Sequence, residues 1–260
     1  QLLHELQHMV DGMNNTPLHV ACEKGNLEAV ELLLEYDVGG NLLSKENQKG
    51  NTPLILAASI GGLDIIKLLL KGNVDVNHKN NEGKTALHFA ARFNHTDVLQ
   101  YLVSSSSSVG LKDPQGNTAL HIASTLGYHH VVRLLLGNSS SVGLKDPQGN
   151  TALHIASTLG YHHVVRLLLG KFDKKWKKCD RGKLPIHLAA QNGHTEVSLH
   201  LLKAGASTAV QNSNGATPLH IACMEGSASM VKLLLKYDAS VTARDGKGYN
   251  PLDLAIKYRH

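Results

Sequence analysis

Thr118-Ala119-Leu120-His121 returns unchanged as Thr151-Ala152-Leu153-His154, 33 residues later. The same register carries Thr85-Ala86-Leu87-His88 before it and Leu184-Pro185-Ile186-His187, Thr217-Pro218-Leu219-His220 and Asn250-Pro251-Leu252-Asp253 after it. Thr52-Pro53-Leu54-Ile55 also fits, and Thr16-Pro17-Leu18-His19 lies 36 residues before that. A fixed period of this length belongs to a stack of small units that share a continuous core, not to one closed globule. Such stacks present binding surfaces more readily than catalytic pockets.

Residues 113–145 show how one unit is built. Asp113-Pro114-Gln115-Gly116-Asn117 reads as a turn in which Gly116 takes a positive φ. Thr118 is a good N-cap, its hydroxyl placed to accept an orphan N–H of the first turn. Several units put Pro at the next position, where a missing N–H costs nothing. Leu120, Ile122 and Ala123 face inward, and Gly127 ends the first helix. Val131, Val132, Leu134, Leu135 and Leu136 then follow at helical spacing. Neither helix reaches the length of about 12–15 residues at which an isolated helix becomes stable, so each must bury its apolar face on its neighbours.

The pattern Asp-x-x-Gly-x-Thr-x-Leu-His-x-Ala, followed by Gly and a Val-Val-x-Leu-Leu-Leu run, resembles the ankyrin repeat. The resemblance implies an all-α fold, an ankyrin-repeat solenoid of about eight helix–turn–helix units with hairpin-like loops. It also implies a concave face, made by the loop tips and first helices, that binds a protein partner. The repeats run over 11–45, 46–78, 79–111, 112–144, 145–177, 178–210, 211–243 and 244–260. The first carries three extra residues within 38–43, and the last stops before its second helix. Residues 1–10 read as an amphipathic cap helix or the end of a preceding repeat. Solenoids need polar caps at both ends, so the chain is expected to continue on both sides. Residues 106–137 and 139–170 are identical letter for letter, as expected of a recent duplication.

Bulk composition fits an intracellular module. Apolar residues make up 42% and aromatics only 4%, so aliphatic side chains fill the core. Three cysteines, Cys22, Cys179 and Cys223, have no pairing or metal-ligand spacing, which points to free thiols in a reducing, cytoplasmic compartment. No apolar run is long enough to span a membrane. The net charge of +5 is matched by one stretch, 171–183, with seven Lys and Arg against two Asp. The basic balance is therefore local, and nucleic acid is not expected as a partner, because a single Trp accompanies the lysines.

The candidate functional residues fall into three groups. In the slot at the end of each first helix, four successive repeats place Ile60, Phe93, Leu126 and Leu159, a candidate apolar anchor for a partner. The loop tips add a polar rim that includes Lys79, Glu82, Lys84, Lys112, Gln115, Lys145, Gln148 and Lys183. The segment containing Lys174, Lys175, Trp176, Lys177 and Lys178 departs most from the pattern. Lys175 stands where Val76, Val109 and Val142 stand elsewhere, and Trp176 replaces a glycine. It reads as a solvated loop or as a site for an anionic ligand such as a phosphoinositide headgroup or acidic peptide. Leu184 replaces the capping threonine, which weakens that helix start by about 0.5–2 kcal/mol, so the joint between repeats five and six is expected to be the loosest.

Catalytic and metal readings find little support. His19, His88, His121, His154, His187 and His220 share the Thr-x-Leu-His slot, where the resemblance implies a structural hydrogen-bonding role. The pairs His129-His130 and His162-His163 have no cysteine or carboxylate cluster beside them in sequence. Equivalent positions of adjacent repeats also lie about 8–10 Å apart, whereas zinc holds its ligands at about 2 Å. No metal, cofactor or catalytic residue is expected, and the chain reads as a non-enzyme. As an alternative to an interaction module, Gly248-Tyr249-Asn250-Pro251-Leu252-Asp253-Leu254-Ala255-Ile256 resembles the closing repeats of TRPA-type cation channels. In that family cytosolic cysteines sense electrophiles, though none of those positions maps onto Cys22, Cys179 or Cys223.

Overall fold

The structure, a computed structural model, describes residues 9–37, 39–137, 141–171, 173 and 175–260. Most of the expected N-terminal cap helix (1–8), Val38 in the enlarged first loop, and Lys174 lie outside the described residues. Within the described residues the chain is all-helical, in short helices paired by repeat. Repeats one to three supply α1 (Pro17–Glu23), α2 (Leu27–Tyr36), α3 (Pro53–Ile60), α4 (Leu63–Leu69), α5 (Ala86–Arg92) and α6 (Thr96–Ser104). Repeat four supplies α7 (Ala119–Leu126) and α8 (His129–Leu135), and repeat five α9 (Ala152–Leu159) and α10 (His162–Leu169). Then come α11 (Pro185–Gln191), α12 (Thr195–Lys203), α13 (Pro218–Met224), α14 (Ala228–Lys236) and α15 (Pro251–Tyr258).

Two compact bodies divide the chain, residues 1–123 and 124–260. In the first, α1 packs on α3 and α3 on α5, while α2 packs on α4 and α4 on α6. In the second, one row is formed by α9, α11, α13 and α15, and the other by α8, α10, α12 and α14. The core follows the repeat. Leu54, Ala57, Ile66, Leu87, Ala90 and Leu99 are buried in the first body, and Val131, Leu135, Ala156, Leu168, Ala189 and Leu201 in the second. Burying each Leu or Val contributes about 1.5–3 kcal/mol, which helices of this length need because they are marginal alone. Proline occupies the first turn of α1, α3, α11, α13 and α15 without loss of a helical hydrogen bond.

The loops turn by a repeated side-chain device. Asp11, Asn47, Asn80, Asp146, Asn212 and Asp245 each accept, through Oδ1, the N–H groups two and four residues on. This is the Asx turn that lets Asp and Asn nucleate loops. Except where the donor position is proline, at Pro114 and Pro147, each tip then pairs with the one before it by a backbone bond, as in Gln48 N–H to Met13 O, Asn81 N–H to Lys49 O, and Asp180 N–H to Gln148 O. In repeat six the Asx slot is held by Cys179, so that repeat lacks both the side-chain turn and the threonine cap. The expected loose joint lies inside the second body, where α9 packs on α11 and α10 on α12.

Candidate functional site

Thr-x-Leu-His is a hydrogen-bonded relay between repeats. The histidine Nδ1 lies 3.2 Å from the backbone N of Thr16, Thr85, Thr118, Thr151 and Thr217 in turn. It lies only 2.8–2.9 Å from the same threonine's Oγ1. The threonine N–H can only donate, so Nδ1 is the acceptor and Nε2 carries the ring proton. That proton is aimed at a carbonyl of the following repeat, as for His19 at Asn51 O, His154 at Lys183 O and His220 at Tyr249 O, and His187 is aimed at Val210 O, the last residue before repeat seven. The threonine's short contact is thus to the imidazole, whereas its bond to the helical N–H is long, 3.4 Å at Thr16, Thr118 and Thr217. The cap read from sequence is a three-membered network, not a simple N-cap.

Burial disfavours the charged form of four of these imidazoles. Loss of solvation holds the imidazoles of His19 and His88 below their ordinary pKa, and brings His154 and His187 down to about 4. Where a partner is missing, the network shows it. Ile55 replaces the histidine in repeat two, and the buried Thr52 hydroxyl is left without a hydrogen bond. Leu184 replaces the threonine in repeat six, and His187 Nδ1 is left with the backbone N–H of Leu184 alone, at 3.0 Å.

A second histidine relay escaped the sequence reading. His95, His194 and His260 direct Nε2 at Ser59 O, Thr158 O and Met224 O, each 36 residues back, at 3.0–3.1 Å. These carbonyls lie in the last turns of the preceding first helices, where no helical N–H remains to meet them. The available signal was a histidine immediately before a second helix, as His95 stands before α6 and His194 before α12.

A profile described as ankyrin repeats in three copies matches residues 1–80, 39–113, 61–146, 105–181, 127–212 and 186–260, which together span the whole chain. The chain belongs to the ankyrin repeat family. Among curated proteins no match is found.

Within this ankyrin array, Ile60 and Leu126 are the last residues of α3 and α7, Phe93 caps α5, and Leu159 ends α9. They are 38%, 40%, 48% and 42% exposed, respectively. Ile60 and Phe93 belong to the first body, and Leu126 and Leu159 to the second. Phe93 stacks on Phe89 with ring centroids 6.4 Å apart. Along the second body the same slot continues through Asn192 and Glu225 to Tyr258. The space between the tips and first helices of repeats six to eight forms a cleft of about 550 Å³, lined by Gln191, Asn212, Met224, Tyr249 and Tyr258 among others.

The tip lysines have a structural task beside their charge. Lys79 Nζ donates to Lys112 O, Lys145 Nζ to Lys178 O and Lys178 Nζ to Gln211 O, each exactly one repeat on. Gln211 Nε2 continues the series to Arg244 O. Lys112, Gln115 and Gln148 are exposed at the tips. In the basic segment Lys175 is exposed and Trp176 half-buried, beside a small cavity of about 140 Å³ that Lys171, Asp173 and Lys177 also line. Lys177 Nζ donates to Gly143 O at 3.0 Å. Two of the described lysines there thus hold carbonyls of the fold, and Asp173 sets a negative charge among the rest.

The thiols of Cys22 and Cys223 are poor nucleophiles. Burial pushes Cys22 up to about 12 and raises Cys223 as well, which lowers the thiolate fraction on which reactivity depends. Among the described residues no helix is long and apolar enough to cross a membrane.

One of the histidine pairs has a carboxylate beside it in the fold: Glu196 Oε1 lies 3.6 Å from His162 Nδ1, and His200 completes a cluster whose ligand atoms all fall within 4.8 Å of one another. Equivalent positions of adjacent repeats are expected about 8–10 Å apart from helix packing alone. Here, however, the groups are not equivalent. His162 begins α10, whereas Glu196 and His200 sit one and five positions into α12, and that stagger brings them together.

Proposed function

We propose that the ankyrin array is an intracellular protein-interaction module. Ile60 and Phe93 in the first body, and Leu126 and Leu159 in the second, supply apolar contact. Lys79, Lys112, Lys145, Gln115 and Gln148 form the polar rim. Ankyrin repeats are in general protein-interaction modules, and the family is typically non-enzymatic. The observation that carries the assignment is the exposure of large apolar side chains in one slot of four successive repeats, Ile60, Phe93, Leu126 and Leu159. A side chain that fills a pocket at the centre of an interface costs about 2 kcal/mol or more when truncated.

A protein partner is a better fit than a free anion at the basic segment, because Lys177 and Lys178 already bond to backbone carbonyls. The alternative of a TRPA-type channel region rests on the sequence of 248–256, and electrophile sensing through Cys22 is disfavoured by its raised thiol pKa. Phe93→Asp and Leu159→Asp, each checked for unchanged helicity, test the module by quantitative affinity capture from cytosol. The proteins retained by the parent chain should be lost from at least one variant. Retention of the same set by both variants would remove this slot from the interface.

A further inference from the structure

We propose that His162, Glu196 and His200 form a site for a zinc ion on the surface of the second helices, between repeats five and six. This site is separate from the partner-binding slot on the first helices.

The donor set and its geometry carry the assignment. Zinc binds imidazole nitrogen at about 2.0–2.1 Å and carboxylate oxygen at about 2.0–2.2 Å, in tetrahedral arrangement, which places neighbouring donors about 3.3 Å apart. His162 Nδ1 and Glu196 Oε1 are 3.6 Å apart, so that pair already stands near the required separation. The third donor, from His200, lies within 4.8 Å of both, a gap that small side-chain rotations close, since the groups are exposed or half-buried. Glu196 and His200 are four residues apart on α12 and therefore share one face. The ring of His200 lies almost parallel to that of His162, at 5° and 6.3 Å between centroids. Three protein donors leave a fourth position for water. Imidazole and carboxylate together select zinc-like transition metals over calcium and magnesium, which take oxygen ligands.

The repeat register supports the same reading. Position 163 in repeat five corresponds to Glu196 in repeat six, and position 129 to 162. His129 and His163 lie together in that preceding slot, with ring centroids 6.0 Å apart, but Leu167 stands where His200 would be needed. Among the described residues the complete triad therefore occurs once, beside a two-histidine partial copy.

Charges facing the site limit its affinity. Arg166 and Lys203 act on His200, and the N-terminus of α10 carries positive partial charge. Glu196 opposes them.

The test is calorimetric titration of the full chain, free of any histidine tag, with zinc chloride at neutral pH. Cobalt(II) substitution, read by its visible absorption, reports the ligand geometry. One saturable site is expected, with intense tetrahedral cobalt bands. His200→Ala and Glu196→Gln should each weaken zinc binding by about tenfold or more, in line with what displaced metal-site groups lose, whereas His78→Ala in the first body should leave it unchanged. His129→Ala should leave the strong site intact. Equal zinc affinity in the parent, His200→Ala and Glu196→Gln would overturn the proposal. So would loss of binding with His129→Ala alone, or no saturable binding by the parent chain at millimolar zinc.

Discussion

Repeats four and five share one sequence over 106–137 and 139–170 but not one environment, because each faces a different successor. Gly127 packs under the ring of Tyr161, whereas its counterpart Gly160 packs under His194, which also bonds to Thr158 O. His129 stands beside His163, whereas its counterpart His162 stands beside Glu196 and His200. Ser124 and Ser157, by contrast, are both buried with no hydrogen-bond partner. Features that depend on the repeat itself are copied. Features at the joint between repeats are set by the neighbour, so duplicating a stretch of sequence duplicates its folding instructions but not its surface.

The largest expected effect tests the part that is copied. His154→Ala removes the acceptor that holds Thr151 N–H and the donor to Lys183 O. It also empties a fully buried site. The loss should be about 2–4 kcal/mol, combining stranded buried groups with a cavity. His162→Ala, in the same repeat but half-exposed at the joint, should change stability by no more than about 0.5 kcal/mol without metal. Urea denaturation of both variants reads the difference. Equal losses would mean that the relay does not hold the repeats together.

Acid tests the same relay next. The folded-state pKa values of His154 and His187, about 4, lie below the ordinary value near 6.5, so the unfolded chain binds more protons between those limits. Their contribution to stability is therefore complete above about pH 6.5 and is lost as pH falls toward 4. Each contributes a slope of up to about 1.4 kcal/mol per pH unit within that window. Midpoints of urea unfolding from pH 7 to 4.5 should fall steadily, and His154→Ala should flatten the fall. A curve flat over this range would show that these imidazoles are protonated in the fold.

The joint is tested by Gly127→Ala and Gly160→Ala, the same substitution in the same local sequence. Both glycines hold a positive φ, 72° and 79°, so both variants carry the backbone penalty of about 1–2 kcal/mol. A Cβ at Gly127 would meet the Tyr161 ring at 3.0 Å, and one at Gly160 would meet the His194 ring at 2.7 Å. Tyr161 is partly exposed and can move aside. His194 can do so only by giving up Thr158 O, so Gly160→Ala should be the more damaging by about 1 kcal/mol. Equal melting temperatures for the two variants would mean that the second histidine relay contributes nothing.

How much of this was legible in the sequence follows the same division. Thr-x-Leu-His, the Pro at the helix start and the aliphatic run of the second helix specify the repeat locally, so the helices, their order and the core residues could be read from the period. The staggered contacts could not. His162 meets Glu196 and His200 across 34 and 38 residues, offsets that are not multiples of 33, and the reading compared equivalent positions only. The tip lysines read as free rim charges because nothing in a lysine's sequence context shows that its ammonium reaches a carbonyl one repeat on. Cys179 in the Asx slot was visible as a departure, but its meaning needed the turn bonds that Asp146 and Asn212 make on either side of it.

The smallest effect asks whether every copied feature is useful. Ser157 lies in the slot held by Ala58, Ala91 and Ala190 in other repeats, and all of these positions are buried. The serine hydroxyl has no hydrogen-bond partner, so it pays for desolvation without return, whereas the alanine repeats pack the same backbone with no polar atom to satisfy. Ser157→Ala should therefore raise stability by about 0.5–1 kcal/mol, and Ser124→Ala should act likewise. Measured together, the two gains should add to within about 0.5 kcal/mol, as independent sites do. A loss on either substitution would show that the hydroxyl bonds to a helix carbonyl or to water in solution, and would make the serine a working part of the duplicated repeat instead of a burden copied with it.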